Sequence, residues 1–300
     1  MTLANKRCMV IGGLGFIGYN IVKALHREHA HVIVVDDLSY GLPERAFPQD
    51  NVEILSASNA DKLTFFKPDI IFHFGSKSSI LHYMREPVET AYDTIAGWRS
   101  VLALQKATGA RLVAASSATV YGAAPLPQIE SGPTYPVNDY SIAKLLCERM
   151  SAKQPVALMR PFTGYGSDET AKTWFQSPIG KFIESIQNKK PIEIMGDGKQ
   201  TRDFIEVSDI VEAALILAQN EHNGPVNIGT GRQTTINDLA DMVQTEMGYP
   251  VYMKKFIPKF DKYVDHMKAD MTLYNQVIDR VPMTIEQGIK KFVEDLNHER

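Results

Sequence analysis

The sequence predicts an α/β protein, a doubly wound parallel sheet with a smaller C-terminal lobe. Three observations carry that expectation. Short β-branched runs alternate with helix-spaced segments through the first half of the chain. The first run exits directly into a glycine-rich turn. After Pro161 the rhythm changes to a stretch rich in Gly, Pro, Thr and aromatics.

Taken in order, "RCMVIGG" reads as a buried parallel strand, because an apolar run without alternation is covered on both faces. Ile17, Ile21 and Leu25 then recur at helical spacing. "HVIVVDD", "VEIL" and "DIIFHFG" read as the next three strands. A helix follows from about Val88 to Ala107, then the strand "RLVAASS", a helix carrying Tyr140, and the strand "VALMR". Beyond Pro161 the spacing predicts a helix around Ile179 to Gln187, a strand-into-helix unit in "FIEVSDIVEAALILAQ", and a strand in "GPVNIGTG". Arg232 to Arg300 reads as helical and irregular. The expected domains are a nucleotide-binding unit over 1–160, with returning segments near 203–230, and a lobe from 161–202 and 231–300.

Composition narrows the function class. Of 300 residues 44% are hydrophobic and 22% charged, with a net charge of −3, which offers no basic excess for nucleic acid. No apolar run is long enough to cross a membrane. The N-terminal strand meets glycines and a helix rather than a small-residue cleavage site, so a cytoplasmic protein is expected. Cys8 and Cys147 are expected as buried reduced thiols. His26, His29 and His31 cross a helix end into a strand and do not share a face, so no metal site is expected.

"GGLGFIG" places Gly12, Gly15 and Gly18 between the first strand and helix. A dinucleotide needs this: a tight turn, close backbone approach to a pyrophosphate, and a helix N-terminus aimed at its charge. Asp36 ends the second strand, where a carboxylate accepts hydrogen bonds from a ribose and repels a 2′-phosphate, favouring NAD over NADP. "AASSATVYG" delivers Ser116, Ser117 and Tyr121 to the same sheet edge. A serine there hydrogen-bonds a substrate hydroxyl, or simply satisfies the strand exit. Tyr140 and Lys144 stand four apart and share one helix face.

The ordered set Gly-x-x-Gly-x-x-Gly, strand-end Asp, "HFGS", "SSATVYG", Tyr-x-x-x-Lys, "RPFTGYG", "GDGKQTRDFIEVSD" and "NIGTG" resembles the extended short-chain dehydrogenase/reductase family. Within it, the chain is similar to the NAD-dependent nucleotide-sugar epimerases and dehydratases, from about residue 6 to 232. The resemblance implies a Rossmann-type sheet, a substrate-binding C-terminal lobe, NAD as cofactor, a nucleotide-diphosphate sugar as substrate, and a homodimer. It implies Ser117, Tyr140 and Lys144 as catalytic residues. Phe16 and Ile17 would join the three glycines at the cofactor, with Asp36, Asp37, Ser39 and Gly41 after the second strand. Phe74, Gly75 and Ser76 after the fourth strand, Pro161, Tyr140 and Lys144 complete that set. A free phenol has pKa ~10, and the Lys144 ammonium together with a nicotinamide cation is expected to lower it.

Lys77, Ser117, Ala118, Thr119, Thr163 and Arg202 are the implied substrate contacts. An arginine fork suits a diphosphate; the plain alternative pairs Arg202 with Asp203 or Asp209. Lys77 reads equally as a solvent-facing loop lysine. Ala118 and Thr119 stand where 4,6-dehydratases usually carry Asp-Glu, and decarboxylating relatives commonly place Glu at the first of these positions. "SSATVYG" resembles UDP-glucose 4-epimerases instead, and C4 epimerisation through a 4-keto intermediate is the leading expectation. The alternatives are an NAD-dependent reductase or dehydrogenase of a nucleotide-linked or modified sugar, and a non-catalytic NAD-binding sensor. Departures from the family pattern fall at Ala57-Ser58, Thr94, Thr163 and Lys259. For the dimer, relatives pack the two helices here spanning roughly 88–107 and 140–151, with Leu145 and Leu146, or Trp98 and Leu102, as candidate contacts.

Overall fold

Seven short strands join edge to edge in one all-parallel sheet. The computed structural model describes residues 2–298, with the side chains of Thr170, Ala171, Thr173 and Trp174 outside that description. The first half runs β1 (Arg7–Ile11), α1 (Phe16–Arg27), β2 (His31–Asp36), β3 (Asn51–Ile54), β4 (Ile70–His73), α2 (Ile80–Arg85), α3 (Pro87–Thr108), β5 (Arg111–Ala115), α4 (Asp139–Ser151) and β6 (Val156–Pro161). The second half adds β7 (Thr163–Tyr165), α5 (Pro178–Gln187), β8 (Ile192–Met195), β9 (Thr201–Arg202), β10 (Phe204–Glu206) and α6 (Val207–Gln219). It ends with β11 (Gly224–Ile228), β12 (Thr234–Thr235), α7 (Ile236–Glu246), β13 (Lys254–Ile257), α8 (Thr272–Val277) and α9 (Ile285–His298).

The sheet order is β11-β6-β5-β4-β1-β2-β3. Met9 pairs with Ile33 on one side and Ile71 on the other, which makes β1 an interior strand. Side chains alternate across a strand. Cys8 and Val10 therefore enter the core beneath α1 and α6, while Met9 and Ile11 enter the core beneath α3 and α4. Both faces are covered, which is why the strands read as unbroken apolar runs. The strand order reverses between β1 and β4, and a crevice opens there beyond the carboxyl ends of the strands. The two cysteines are free and lie in these separate cores.

The later segments form their own apolar cluster, in which Ile179, Phe182 and Ile183 of α5 meet Leu239 and Val243 of α7 and Phe292 of α9. Three separate two-stranded pairings, β7 with β10, β8 with β13 and β9 with β12, accompany it. No described helix is long and apolar enough to cross a membrane. Two sequence expectations change here. Trp98 and Leu102, candidates for a helix-packing surface, are 1% and 6% exposed, and the Trp98 indole donates to Ser151 Oγ at 2.8 Å. They face the sheet, because that is the side on which α3 finds apolar partners. Tyr121 is also fully buried, its hydroxyl donating to Asn227 Oδ1 at 2.6 Å rather than standing at the sheet edge.

Candidate active site

The crevice floor is built from backbone. Gly12 has φ +82°, and a Cβ there would stand 2.5 Å from the Gly75 amide nitrogen. The turns after β1 and β4 thus touch main chain to main chain, which only glycine permits at this φ. A Cβ on Gly18 would fall 1.9 Å from the Gly12 carbonyl oxygen, so α1 can seat its N-terminus tightly on the turn. The first amides of α1 then point at the crevice with the positive end of the helix dipole. Asp36 is 6% exposed, and its oxygens accept from Leu14 N (3.0 Å) and Leu38 N (2.9 Å). A carboxylate keeps further lone pairs beyond these two bonds. These groups fit a dinucleotide: an anion cradle free of Cβ atoms, and an acid at the end of β2.

Side chains converge above that floor around a cavity of about 450 Å³, which shares Ser117, Thr119, Thr163 and Arg202 with a second of about 200 Å³. Asn138 caps α4, accepting from Ser141 N at 3.0 Å while its own N–H donates to Ser141 Oγ at 3.2 Å. This reciprocal cap fixes the helix start, so Tyr140 lies in the first turn and Lys144 one turn on. The Lys144 ammonium donates to Ser76 Oγ (2.8 Å) and to the Ala115 carbonyl (2.9 Å), bridging the turns after β4 and β5. Burial brings its pKa down to about 8.

Tyr140 is 6% exposed, its ring 5.3 Å from that of Tyr83, whose hydroxyl meets Thr94 Oγ1 at 2.7 Å. The expected lowering of its pKa is not what the protein alone produces. Burial pushes the phenol up to about 12, and the hydrogen bond from Ser117 offsets only part of this. Lys144 spends two of its donors on Ser76 and Ala115, and desolvation outweighs what remains.

The two neighbouring serines diverge. Ser116 donates to Glu148 Oε1 at 2.5 Å, and Glu148 is held in turn by Arg160 through Nε (2.8 Å) and Nη2 (2.6 Å). Arg160 also donates to the Tyr121 hydroxyl at 2.9 Å, which closes a buried polar network beneath the site. Ser117 faces the cavity instead, its Oγ accepting from Thr119 Oγ1 (2.9 Å) and Thr119 N (3.2 Å).

The cavity is lined by Gly12, Gly15, Phe16, Ile17 and Gly18 at one end and by Thr163 and Arg202 at the other. Phe74, Ser76, Lys77, Pro161, Ser117, Thr119, Tyr140 and Lys144 lie between, and Ala118 borders the smaller cavity. Asp36, Asp37, Ser39, Gly41 and Gly75, expected at the cofactor, are not among the lining residues of this cavity. Lys77 lines the cavity with Glu86 and Asp93 at 3.8 and 4.0 Å from its ammonium. Arg202 pairs with neither Asp203 nor Asp209. Its guanidinium donates to the carbonyls of Thr201, Asp265 and Val264 and stacks 4.8 Å from the Tyr263 ring. Asp203 instead collects the amides of Thr230, Gly231 and Ala269, and Asp209 that of Met283.

The lining also holds residues that sequence reasoning missed. Arg45, Lys172 and Lys181 face the cavity, joining Lys77, Lys144 and Arg202. Among the described residues lining either cavity there are six such cations around the larger and no carboxylate in either. No motif marks the three additional cations, because each arrives from a loop or helix end whose position depends on the folded lobe. Among the described residues, no cluster of three or more His, Cys, Asp or Glu side chains could hold a metal ion.

Comparison with known proteins decides the family. Residues 8–229 match the model of the NAD dependent epimerase/dehydratase family. The chain belongs to that family. It is 31% identical to UDP-glucuronic acid decarboxylase 4 of Arabidopsis thaliana, over 96% of this chain and 68% of that protein. It superposes on the UDP-glucose 4-epimerase of Thermotoga maritima, solved with UDP-glucose, with a TM-score of 0.91 and 26% identity, covering 98% of this chain and 99% of that one. A UDP-N-acetylglucosamine 4-epimerase of Methanobrevibacter ruminantium, solved with UDP-N-acetylmuramic acid, gives the same TM-score and identity over 99% and 100% of the two chains. The chain is therefore an enzyme of the NAD-dependent nucleotide-sugar epimerase/dehydratase family, with a Rossmann-type sheet and NAD as its cofactor.

Proposed function

We propose that this member of the family epimerises a nucleotide-diphosphate sugar at C4, through a transient 4-keto sugar. The observation that carries the reading is the lining itself. Ser117 and Tyr140, with Lys144 one turn on, line a cationic cavity that holds no carboxylate among its described lining residues. Eliminating water from a sugar needs a positioned acid and base beyond the redox pair, and among the described residues no Asp or Glu lines either cavity to supply them. Epimerisation at C4 needs only one proton carrier, used twice.

NAD, when bound, supplies the hydride acceptor and a positive charge near the phenol. Tyr140 takes the C4 hydroxyl proton as the carbon is oxidised and returns it as the ketone is reduced on its opposite face. Ser117 hydrogen-bonds the oxygen at C4 and stabilises the phenolate form of Tyr140. Lys144 adds its ammonium charge one helical turn away. A neutral phenol with a raised pKa is well suited to the returning half, where it donates to the ketone oxygen. Small side chains at Ala118, Thr119 and Thr163 leave room beside the smaller cavity for the keto-sugar to turn over. The cationic lining, Arg202 included, suits the substrate diphosphate.

A second reading has one observation in its favour. A six-cation lining would also receive a uronic acid carboxylate, and an Arabidopsis relative carries a decarboxylase name. Incubation with UDP-, GDP-, CDP- and dTDP-sugars, a UDP-uronate included, separates the readings by NMR. A C4 epimer without net NADH change supports epimerisation. Loss of carbon dioxide from the uronate supports decarboxylation, stoichiometric NADH consumption a reductase, and no product from any sugar refutes all three.

We further propose a cytoplasmic homodimer. Two free thiols suit a reducing compartment. Val88 and Tyr92 on α3 are 73% and 72% exposed, and Ile142 and Leu146 on α4 are 51% and 40% exposed, an apolar face that a second copy would cover.

A further inference from the structure

The segment Ser167–Phe175 forms a strap of 3₁₀ turns across the dinucleotide end of the cavity. It is tied on both sides. Asp168 receives the Lys23 ammonium of α1 at 2.6 Å, and its carbonyl accepts from Arg45 Nη2 at 2.6 Å. Arg45 also donates to the Leu14 carbonyl, within the glycine turn. On the other side Glu169, fully buried, accepts from Ser177 N at 2.9 Å and from the Ser177 hydroxyl, at the head of α5. Phe175 closes an aromatic cluster with Tyr40 and His82, ring centroids 5.1 and 4.6 Å away.

Lys172 of the strap has no role in those ties. Lys172 borders the cavity, and its ammonium stands 3.8 Å from the centroid of the Phe16 ring, the first residue of α1. Among the described residues its hydrogen-bond acceptor is Glu169, at 3.1 Å. That carboxylate already satisfies the head of α5, so it orients Lys172 without using up its three donors. An ammonium held against the first residue of α1, in a cavity that Gly12 and Gly15 also line, borders the place where the fold directs a dinucleotide pyrophosphate.

We propose that Lys172 is a cofactor-binding residue that contacts the NAD diphosphate from above, and that Glu169 is the positioning residue that aims it. The strap thereby retains NAD while the sugar exchanges at the other end of the cavity. The α1 amides and the Lys172 ammonium would together hold the pyrophosphate, and the charge-assisted contact is the stronger kind.

The test is ligand binding by the full chain stripped of nucleotide. Lys172→Met keeps most of the side chain's bulk and removes its charge. It should weaken NADH and ADP by about 10- to 100-fold, the range expected for losing a hydrogen bond to a charged group, and leave adenosine, which has no phosphate, unchanged. Lys172→Arg should restore most of the loss. Wild-type protein gives an independent reading: Lys172 should react with an amine acylating reagent, followed by peptide mass spectrometry, and be protected by ADP but not by adenosine. Unchanged NADH and ADP binding in Lys172→Met would overturn the proposal. So would adenosine weakening in the same proportion, which would leave Lys172 as a strap tie, or acylation of Lys172 that ADP does not slow.

Discussion

Arg160→Met tests the network under the catalytic loop. Arg160 and Glu148 are 4% and 8% exposed and meet in a two-point contact of 2.8 and 2.6 Å. Removing the guanidinium leaves the Glu148 carboxylate buried, with the Ser116 hydroxyl as its remaining side-chain donor. Breaking a buried pair from one side costs about 3–5 kcal/mol, most of it the desolvation of the stranded charge. For a chain of this length about 2 °C follows each kcal/mol, so the melting temperature should fall by about 6–10 °C. The assay is thermal and urea unfolding at one fixed NAD concentration, since bound cofactor shifts both. Glu148→Leu/Arg160→Met should recover more than half of the loss, because no charge is then left unpaired. A single variant costing under about 1 kcal/mol, or a double variant costing the sum of both singles, would refute the claim that this pair is a coupled buried unit.

Four further outcomes follow from the site. Tyr140→Phe should lower kcat by about 10²- to 10⁴-fold while NAD binding stays near wild type; retained turnover in a steady-state assay would remove Tyr140 from the chemistry. The same variant carries a stability signature. Tyr140 is raised to about 12 in the fold from the ordinary phenol value of 10, so its contribution is fully present below pH 10 and is lost as pH rises through 12. Wild type should therefore lose about 2 kcal/mol more than Tyr140→Phe between those limits in urea unfolding, and parallel curves would contradict the buried neutral phenol. Gly12→Ala should abolish NADH binding by calorimetry, since its Cβ would lie 2.5 Å from the Gly75 nitrogen at a φ of +82°; wild-type affinity would show that the two turns do not meet. Val88→Asp/Leu146→Asp should convert a dimer to a monomer in sedimentation at micromolar concentration, and a wild-type monomer would dismiss the interface.

Much of the central sheet was legible because its strands are β-branched runs buried on both faces, and because glycines punctuate their exits. "RCMVIGG" announces both β1 and the turn after it. The helix α2 and the short strands β7, β8 and β13 were not legible. Three- and four-residue pairings between distant segments leave no periodicity of their own. Tyr121 and Trp98 read as polar-handled aromatics for an edge or an interface, but partners far away in sequence, Asn227 and Ser151, draw them inward. At the site, Tyr140 and Lys144 could be placed from their spacing, whereas the phenol's raised pKa could not, because desolvation is a property of what packs around it. Lys172 and Lys181 look like any solvated lysines until the strap and α5 fold over the crevice.

In the proposed reaction hydride leaves C4 and returns to the same carbon, with Tyr140 carrying the proton. That course is tested most directly by running the reaction in deuterium oxide and following the sugar ring by proton NMR. The expected product is a C4 epimer whose C4 hydrogen is the original protium, with no exchange elsewhere on the ring and no product from Tyr140→Phe. Deuterium at C5, loss of water or carbon dioxide, or an unchanged substrate would contradict it.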